Sequence, residues 1–175
     1  MIEKLLKYIC SQLETNQIEY MLSGSLAMNI YATPRMTRDA DIVINLRKED
    51  TDKFLGIFSE NYYFNKKSII EEIERKGMFN IIDNISGYKL DFIIKKNSAF
   101  REAEFKRKKY QNIFDFKAWI VSSEDLIISK LIWTQKYVSN QQLNDIKNLT
   151  RSTNIDKEYI LSWCKKLKIS TFDLL

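Results

Sequence analysis

The 175-residue chain has the composition and charge of an ordinary folded protein. Its residues are 45% hydrophobic, its net charge is +5, and its length predicts one domain or one domain with a small helical extension. It contains no histidine, and its two cysteines, Cys10 and Cys164, lack the spacing of metal ligands. This composition argues against zinc catalysis and against acid-base or triad chemistry that depends on histidine.

No segment of the sequence predicts insertion into a membrane. There is no run of about eighteen apolar residues, which is the minimum for a transmembrane helix. The N-terminus, MIEKLLKYIC, has charged residues where the apolar core of a signal peptide would lie. We therefore expect a cytoplasmic protein with no membrane partner.

The first two thirds of the sequence alternate between helix-like and strand-like patterns. Residues 2–14 have apolar side chains at helical spacing and predict an amphipathic helix. The elements predicted after it are a strand at 18–22, a short helix at 26–31 that stops before Pro34, a strand at 39–45, a helix at 49–61, and strands at 78–84 and 88–95.

The last third of the sequence is predicted to be helical after one further strand, at 116–121. Ser122 or Ser123, followed by two acidic residues, is typical of the start of a helix. The predicted helices lie near 124–136, 140–151 and 156–167.

These patterns predict a fold of the α+β class. A short mixed β-sheet backed by helices is expected in residues 1–121. A C-terminal helical bundle is expected in residues 122–175.

Basic residues are concentrated in one segment, residues 95–110. It contains seven Lys or Arg and two Glu, and it includes the run Lys106, Arg107, Lys108 and Lys109. Such a cluster attracts phosphates, although a solvated loop or helix face would have the same composition.

Two aspartates one residue apart, Asp39 and Asp41, lie in the strand predicted at 39–45. Alternate residues of a strand face the same side, so both carboxylates are expected on the face opposite the apolar residues. Asp91 has the same relation to the apolar residues of the strand at 88–95. Repulsion between such carboxylates favours a bound cation that prefers oxygen ligands, Mg²⁺ or alternatively Mn²⁺.

Gly24 and Ser25 lie where a predicted strand meets a predicted helix. A residue without a side chain permits close approach of the backbone to a ligand, and the free N–H groups of a helix N-terminus bind phosphate. Taken alone, a Gly-Ser pair before a helix is more often a simple helix cap.

The conjunction of these features resembles the DNA polymerase beta-like nucleotidyltransferase superfamily. The resemblance rests on LSGS at 22–25, on Asp39 with Asp41, and on Asp91 as a third acid on a later strand. The segment TPRMTRDADI is similar to the R-x-T-x-D-x-D form found in small bacterial members related to the AbiEii abortive-infection and MenT-type toxins. Arg35 and Thr37 stand at its first two positions.

Two helical segments, SSEDLIISKL and QQLNDIKNL, are similar to motifs of that group in which a lysine and then an aspartate approach the site. The matching residues are Lys130 and Asp145. Lys130 also lies within an otherwise apolar helix face, where a lysine is unusual unless it is paired or functional. The alternatives are a lysine at the margin of the core and an Asp145 that is a surface acid or a partner of Lys130.

The resemblance implies transfer of a nucleoside monophosphate from a nucleoside triphosphate to a hydroxyl group. Gly24, Ser25, Arg35, Thr37 and Lys130 would bind the nucleotide, and Asp39, Asp41 and Asp91 would bind the metal. The implied acceptor is RNA, particularly tRNA, contacted by Lys106 to Lys109, and a toxin would have a cognate antitoxin. The alternatives are a small hydroxylated acceptor of the antibiotic type and a non-catalytic nucleotide-binding module.

Overall fold

A computed structural model describes residues 2–152 and 154–175 of the chain. Helices and strands are mixed up to residue 120, and helices follow. In the described residues the helices are α1 (Ile2–Thr15), α2 (Gly24–Tyr31), α3 (Thr51–Leu55), α4 (Lys66–Glu74), α5 (Ala99–Lys106), α6 (Ser123–Thr134), α7 (Asn140–Ser152) and α8 (Lys157–Leu167). The strands are β1 (Tyr20–Leu22), β2 (Asp39–Ile44), β3 (Tyr62–Tyr63), β4 (Met78–Asp83), β5 (Lys89–Ile94), β6 (Lys109–Ile113) and β7 (Phe116–Ile120).

The strands form one mixed sheet in the order β3-β4-β5-β2-β1-β7-β6. The pairs β2–β5 and β1–β7 are parallel, and the other neighbours are antiparallel. The chain therefore has the α+β fold with a mixed sheet that the sequence predicted. The acidic strands β2 and β5 lie side by side near the middle of the sheet.

One face of β2 and β5 forms the main core. Ile42 and Phe92 are fully buried on this face, and they are directly opposed in the parallel register. Phe54 of α3 packs edge-on against Phe79 and Phe92, with ring centroids 5.7 and 5.1 Å away. Burial of large aromatic side chains stabilises this packing, and it fixes which face of each strand is turned away from α3.

Helix α6 begins where the sequence predicted and closes the opposite side of the sheet. The side chain of Ser122 accepts a hydrogen bond from the backbone N–H of Asp125 at 3.2 Å, which caps the helix. The helix packs against α2, α7 and α8. Since it is buried on several sides, its polar side chains, including Lys130, are held among packed neighbours.

The structure differs from the sequence prediction in the short elements. The helix expected at 49–61 is shorter in the structure, where α3 ends at Leu55 with Gly56 as its C-cap. Helices α4 and α5 and strands β3 and β6 were not predicted. No helix within residues 2–152 and 154–175 is both long and apolar enough to cross a membrane.

Candidate active site

The parallel register of β2 and β5 brings the predicted acids together. Asp41 is the direct partner of Asp91, and Asp39 is the direct partner of Lys89. The ammonium of Lys89 lies 3.0 Å from a carboxylate oxygen of Asp91 and 3.5 Å from one of Asp39. Three carboxylates and one ammonium therefore share the sheet face opposite the main core.

The surroundings of Asp41 are unfavourable to its negative charge. Burial raises its pKa, and the neighbouring charge of Asp91 raises it further. The backbone N–H of Ser25, 3.4 Å from Oδ2, and the charge of Lys130 act in the opposite direction. The net shift of the pKa is upward, so these surroundings disfavour the charged form of Asp41.

The turn before α2 packs directly on Asp41. Gly24 has a φ of +56°, and a β-carbon placed on it would lie 1.9 Å from Oδ2 of Asp41. The backbone N–H of Ser23 donates to the carbonyl oxygen of Asp41 at 2.9 Å. The strand-to-helix turn and the acidic strand therefore form one unit, in which Gly24 permits close packing against the side chain of Asp41.

A polar network connects this turn to the C-terminal helices. Arg35 donates from one terminal nitrogen to Oγ of Ser25 at 2.8 Å and to Oδ2 of Asp145 at 3.3 Å. Lys130 donates to the same oxygen of Asp145 at 2.9 Å, and both members of this pair are buried. The structure thus brings Ser25, Arg35, Lys130 and Asp145 together, and the alternative that Asp145 is a partner of Lys130 is confirmed.

The guanidinium of Arg35 has N–H groups that bind neither Ser25 nor Asp145. The side chain of Asn29 exchanges hydrogen bonds with the backbone of Arg35, at 2.7 and 3.0 Å, and so holds its position. The Nε atom of Arg35 is buried and has no hydrogen-bond partner among the described residues. A buried donor without a partner is costly, and an anionic ligand would satisfy it.

Thr37 contacts the backbone of Asp39. Its hydroxyl donates to the carbonyl oxygen of Asp39 at 3.0 Å and accepts from the N–H of the same residue at 3.3 Å. These bonds hold the start of β2, so Thr37 contacts the acidic strand through its backbone.

The carboxylate oxygens of Asp39, Asp41 and Asp91 suit a cation that prefers oxygen ligands. The three carboxylates do not form a compact cluster in this structure. No group of three or more His, Cys, Asp or Glu side chains in residues 2–152 and 154–175 is placed to hold a metal ion. Asp41 and Asp91 are register partners, whereas the Asp39 side chain is half exposed and lies near Lys89. Only oxygen ligands are present, which fits Mg²⁺ or Mn²⁺ and not a metal that prefers sulfur or nitrogen.

The four basic residues at 106–109 have different surroundings. Arg107 donates to Asp125 at 3.0 Å, lies near Glu124, and stacks on the ring of Tyr159. Lys108 is largely buried against Phe105 and Trp119. Lys106 and Lys109 are exposed.

Two residues near the site were missed by the sequence prediction. Lys89 stands two residues before Asp91, so strand alternation alone places it on the acidic face. Asn29 lies one helical turn after Ser25, but nothing in the sequence indicates that it holds the backbone of Arg35.

No family model matches the sequence, and no curated protein matches it. Solved structures do resemble the fold. The antibiotic-resistance factor ANT(2'')-Ia superposes with a TM-score of 0.61 at 12% identity, covering 94% of this chain and 95% of that one. The lincosamide antibiotic adenylyltransferase LnuA gives 0.51 at 19% identity, covering 86% and 98%.

A putative nucleotidyltransferase from Thermotoga maritima gives a TM-score of 0.53 at 15% identity, covering 94% of this chain and 93% of that chain. This chain has the nucleotidyltransferase fold. At these levels of identity the likeness concerns the fold alone.

Proposed function

We propose that this chain transfers a nucleoside monophosphate from a nucleoside triphosphate to an acceptor hydroxyl, with Mg²⁺ or Mn²⁺ as cofactor. The observation that carries the proposal is the partly buried Asp41, register partner of Asp91, packed against the Gly24–Ser25 turn. The nucleotidyltransferase fold and the transferases that share it support this assignment. From the sequence motifs we infer that it is similar to toxins of the AbiEii and MenT type.

The triphosphate binds between the α2 N-terminus and the polar network. The backbone N–H of Gly24 and the positive end of the helix dipole attract phosphate oxygens, whereas the N–H of Ser25 faces Asp41. Arg35 offers its unpartnered Nε, and Lys130 adds a positive charge behind it. Thr37 contributes by holding the start of β2.

Asp39, Asp41 and Asp91 would hold the metal, which supplies Lewis-acid stabilisation of charge on the phosphates. The raised pKa of Asp41, caused by burial and by Asp91, marks a carboxylate that a cation would stabilise. Lys89 supplies part of the positive charge at Asp39 and Asp91.

The reaction is an in-line displacement at the α-phosphorus. The acceptor oxygen forms a bond to this phosphorus, the bond from the phosphorus to the bridging oxygen of the β-phosphate breaks, and pyrophosphate leaves. The carboxylate of Asp91 takes the proton of the acceptor hydroxyl. Arg35 and Lys130 neutralise charge on the leaving pyrophosphate. Asp145 holds these two side chains in place.

The acceptor that we propose is RNA, with the 3′ end of tRNA as the first candidate. The net charge of +5 and the exposed Lys106 and Lys109 support a polyanionic acceptor. If the protein is a toxin, it has a cognate antitoxin as partner. A small hydroxylated acceptor is the second candidate, because structures with this fold contain lincomycin or adenylyl-2″-tobramycin.

The proposal is tested by incubating the protein with each labelled nucleoside triphosphate, Mg²⁺ or Mn²⁺, and one acceptor at a time. The acceptors are tRNA, total RNA, an aminoglycoside and a lincosamide, and the Asp41→Asn variant is the control. We expect pyrophosphate release and label in RNA with the parent protein only. Binding of a nucleoside triphosphate without pyrophosphate release under any condition would instead identify a non-catalytic nucleotide-binding module.

A further inference from the structure

Lys89 lies between two of the three carboxylates on the acidic face of the sheet. Its ammonium is 3.0 Å from a carboxylate oxygen of Asp91 and 3.5 Å from one of Asp39. No other lysine or arginine among the described residues forms an ion pair with either acid. The position between Asp39 and Asp91 therefore already holds a positive charge that belongs to the chain itself.

Asp41, the third carboxylate, has no such partner. The backbone N–H of Ser25 lies 3.4 Å from its Oδ2, and no lysine or arginine in residues 2–152 and 154–175 forms an ion pair with it. The buried ammonium of Lys130 donates instead to Asp145, at 2.9 Å. The acidic face thus has one position that holds a cation and one position, at Asp41, that does not.

The backbone of the sheet fixes where Lys89 stands. Lys89 is the first residue of β5 and the register partner of Asp39 on β2. Its backbone N–H donates to the carbonyl oxygen of Arg38 at 3.2 Å, which ties the start of β5 to the start of β2. Alternate residues share a strand face, so Lys89 and Asp91 point to the same side. Two paired strands therefore place the ammonium beside these carboxylates.

The charges on this face match one divalent cation. Three carboxylates and one ammonium carry a formal charge of −2, which a single divalent ion neutralises. In sites with two metal ions, the ions lie about 3.5–4 Å apart. A second ion here would need the oxygen atoms that Lys89 contacts, and the ammonium would repel it at so short a distance.

We infer that Lys89 takes the place of a second metal ion, so that the site binds a single divalent cation at Asp41. The inference rests on the proposed transfer function and goes beyond it by fixing the number of ions. Oxygen atoms of Asp39 and Asp91 that do not contact Lys89 complete the ligand set. Lys89 is a positioning residue, because it holds these two carboxylates and keeps a positive charge beside Asp91 when no metal ion is bound.

The test counts bound Mn²⁺ ions and measures whether they are close together, so it does not depend on turnover. Mn²⁺ is titrated into the metal-free protein, and electron paramagnetic resonance follows the signal of free aqueous Mn²⁺, which falls as ions bind. Two Mn²⁺ ions about 4 Å apart couple magnetically, whereas a single ion gives an uncoupled spectrum. We expect the parent protein to bind one Mn²⁺ with an uncoupled spectrum.

Variants of Lys89 test whether its ammonium limits the number of ions. Lys89→Met removes the charge and should bind two Mn²⁺ with a coupled spectrum, whereas Lys89→Arg keeps the charge and should bind one. Asp41→Asn should lose the single ion. The matched control is Lys117→Met, at an exposed lysine of β7 in the same sheet, which should bind one ion as the parent does.

Two coupled Mn²⁺ ions in the parent would overturn the inference and leave the transfer function intact, because the second ion would have displaced Lys89. This count decides the question even if Lys89→Met is unstable. One ion in both the parent and Lys89→Met would also overturn the inference, since Lys89 would not limit the number. Failure of the proposed function has a different signature, in which neither the parent nor any variant binds Mn²⁺, and the inference then fails with it.

Discussion

Gly24 and Asp41 are in direct contact, and only glycine fits at the first of these positions. A β-carbon on residue 24 would lie 1.9 Å from Oδ2 of Asp41, and the backbone there has a φ of +56°. The two observations are independent, because one concerns space and the other concerns the left-handed backbone conformation. The turn that would hold phosphate and the strand that would hold metal are therefore fixed to each other.

We predict that Gly24→Ala lowers both stability and transfer activity. The left-handed backbone costs about 1 kcal/mol with a side chain, and the overlap with Asp41 adds about 1–3 kcal/mol. Gly87→Ala is a matched control, since Gly87 has a φ of +72° but nothing within 4 Å of an added β-carbon. Denaturant unfolding of both variants measures the difference. Equal losses at the two positions would refute the contact argument.

Asp41→Asn is predicted to abolish transfer and to preserve or raise stability when no metal is added. Burial and the charge of Asp91 raise the pKa of Asp41 in the folded state, so the stability linked to its protonated form is lost as pH rises through that pKa. The uncharged amide avoids this loss at neutral pH. We expect turnover to fall by about a hundredfold or more and the thermal midpoint to stay level or rise by about 2–4 °C.

The measurement compares thermal midpoints of the parent and Asp41→Asn across a pH series in a metal chelator. The difference between them should grow as pH rises and vanish at low pH, where both side chains are uncharged. Near-normal turnover in the variant would contradict the assignment of Asp41 as a metal ligand.

Alternation along single strands was enough to predict which acids share a face. Asp39, Asp41 and Asp91 could be found in this way, and so could Lys89, because a two-residue period decides the face of each. The pairing of Asp41 with Asp91 could not be predicted, since it depends on a parallel register between strands about fifty residues apart in sequence.

Contacts between distant segments explain the rest of what the sequence did not indicate. Arg107 and Lys109 are equivalent members of a basic run in the sequence, but Arg107 meets Asp125 and Tyr159 only after α6 and α8 have packed. Helix α5 was not predicted, for a related reason. Its buried face includes Glu104, whose partner Arg101 makes the burial possible, so the apolar pattern is incomplete.

Lys130→Met is predicted to reduce both turnover and stability. Turnover should fall by about a hundredfold, as expected for loss of one preorganised charge. Asp145 keeps Arg35 at 3.3 Å but loses the 2.9 Å bond to Lys130, which should cost about 2 kcal/mol of unfolding free energy. Lys165→Met, at an exposed lysine of α8, is the control and should change neither quantity.

The double variant Lys130→Met/Asp145→Leu separates the two effects. Removing both buried charges should restore much of the stability, because no carboxylate is then left without its lysine. Turnover should remain low. Recovery of activity together with stability would show that the pair has only a structural role.

Lys89→Gln is predicted to make the protein more dependent on divalent metal. The hydrogen bond to Asp91 raises the pKa of Lys89, as do the charges of Asp91 and Asp39, so its ammonium is a stable counter-charge. Without it, the thermal midpoint in a chelator should fall, and Mg²⁺ or Mn²⁺ should raise it more than in the parent. Thermal melts over a metal titration measure this difference. No response to metal in either protein would contradict the proposed site.

Arg107→Gln is predicted to lower the free energy of unfolding. Asp125 is fully buried and accepts hydrogen bonds from Arg107, Ser122 and Tyr159. Loss of the charged donor should cost about 1.5–3 kcal/mol of unfolding free energy. Arg107→Lys should recover part of this loss, because it keeps a positive charge near Asp125.

Lys106→Gln/Lys109→Gln is predicted to weaken RNA binding and to leave stability unchanged. Both side chains are exposed and have no ion-pair partner among the described residues, so the thermal midpoint should not change. If they contact phosphates, tRNA affinity should fall, and its salt slope should flatten by about 0.7–0.9 for each lysine. The measurement is a salt series of tRNA titrations with nucleoside triphosphate binding on the same preparation, which should be unaffected. An unchanged affinity and slope would remove Lys106 and Lys109 from the RNA contact.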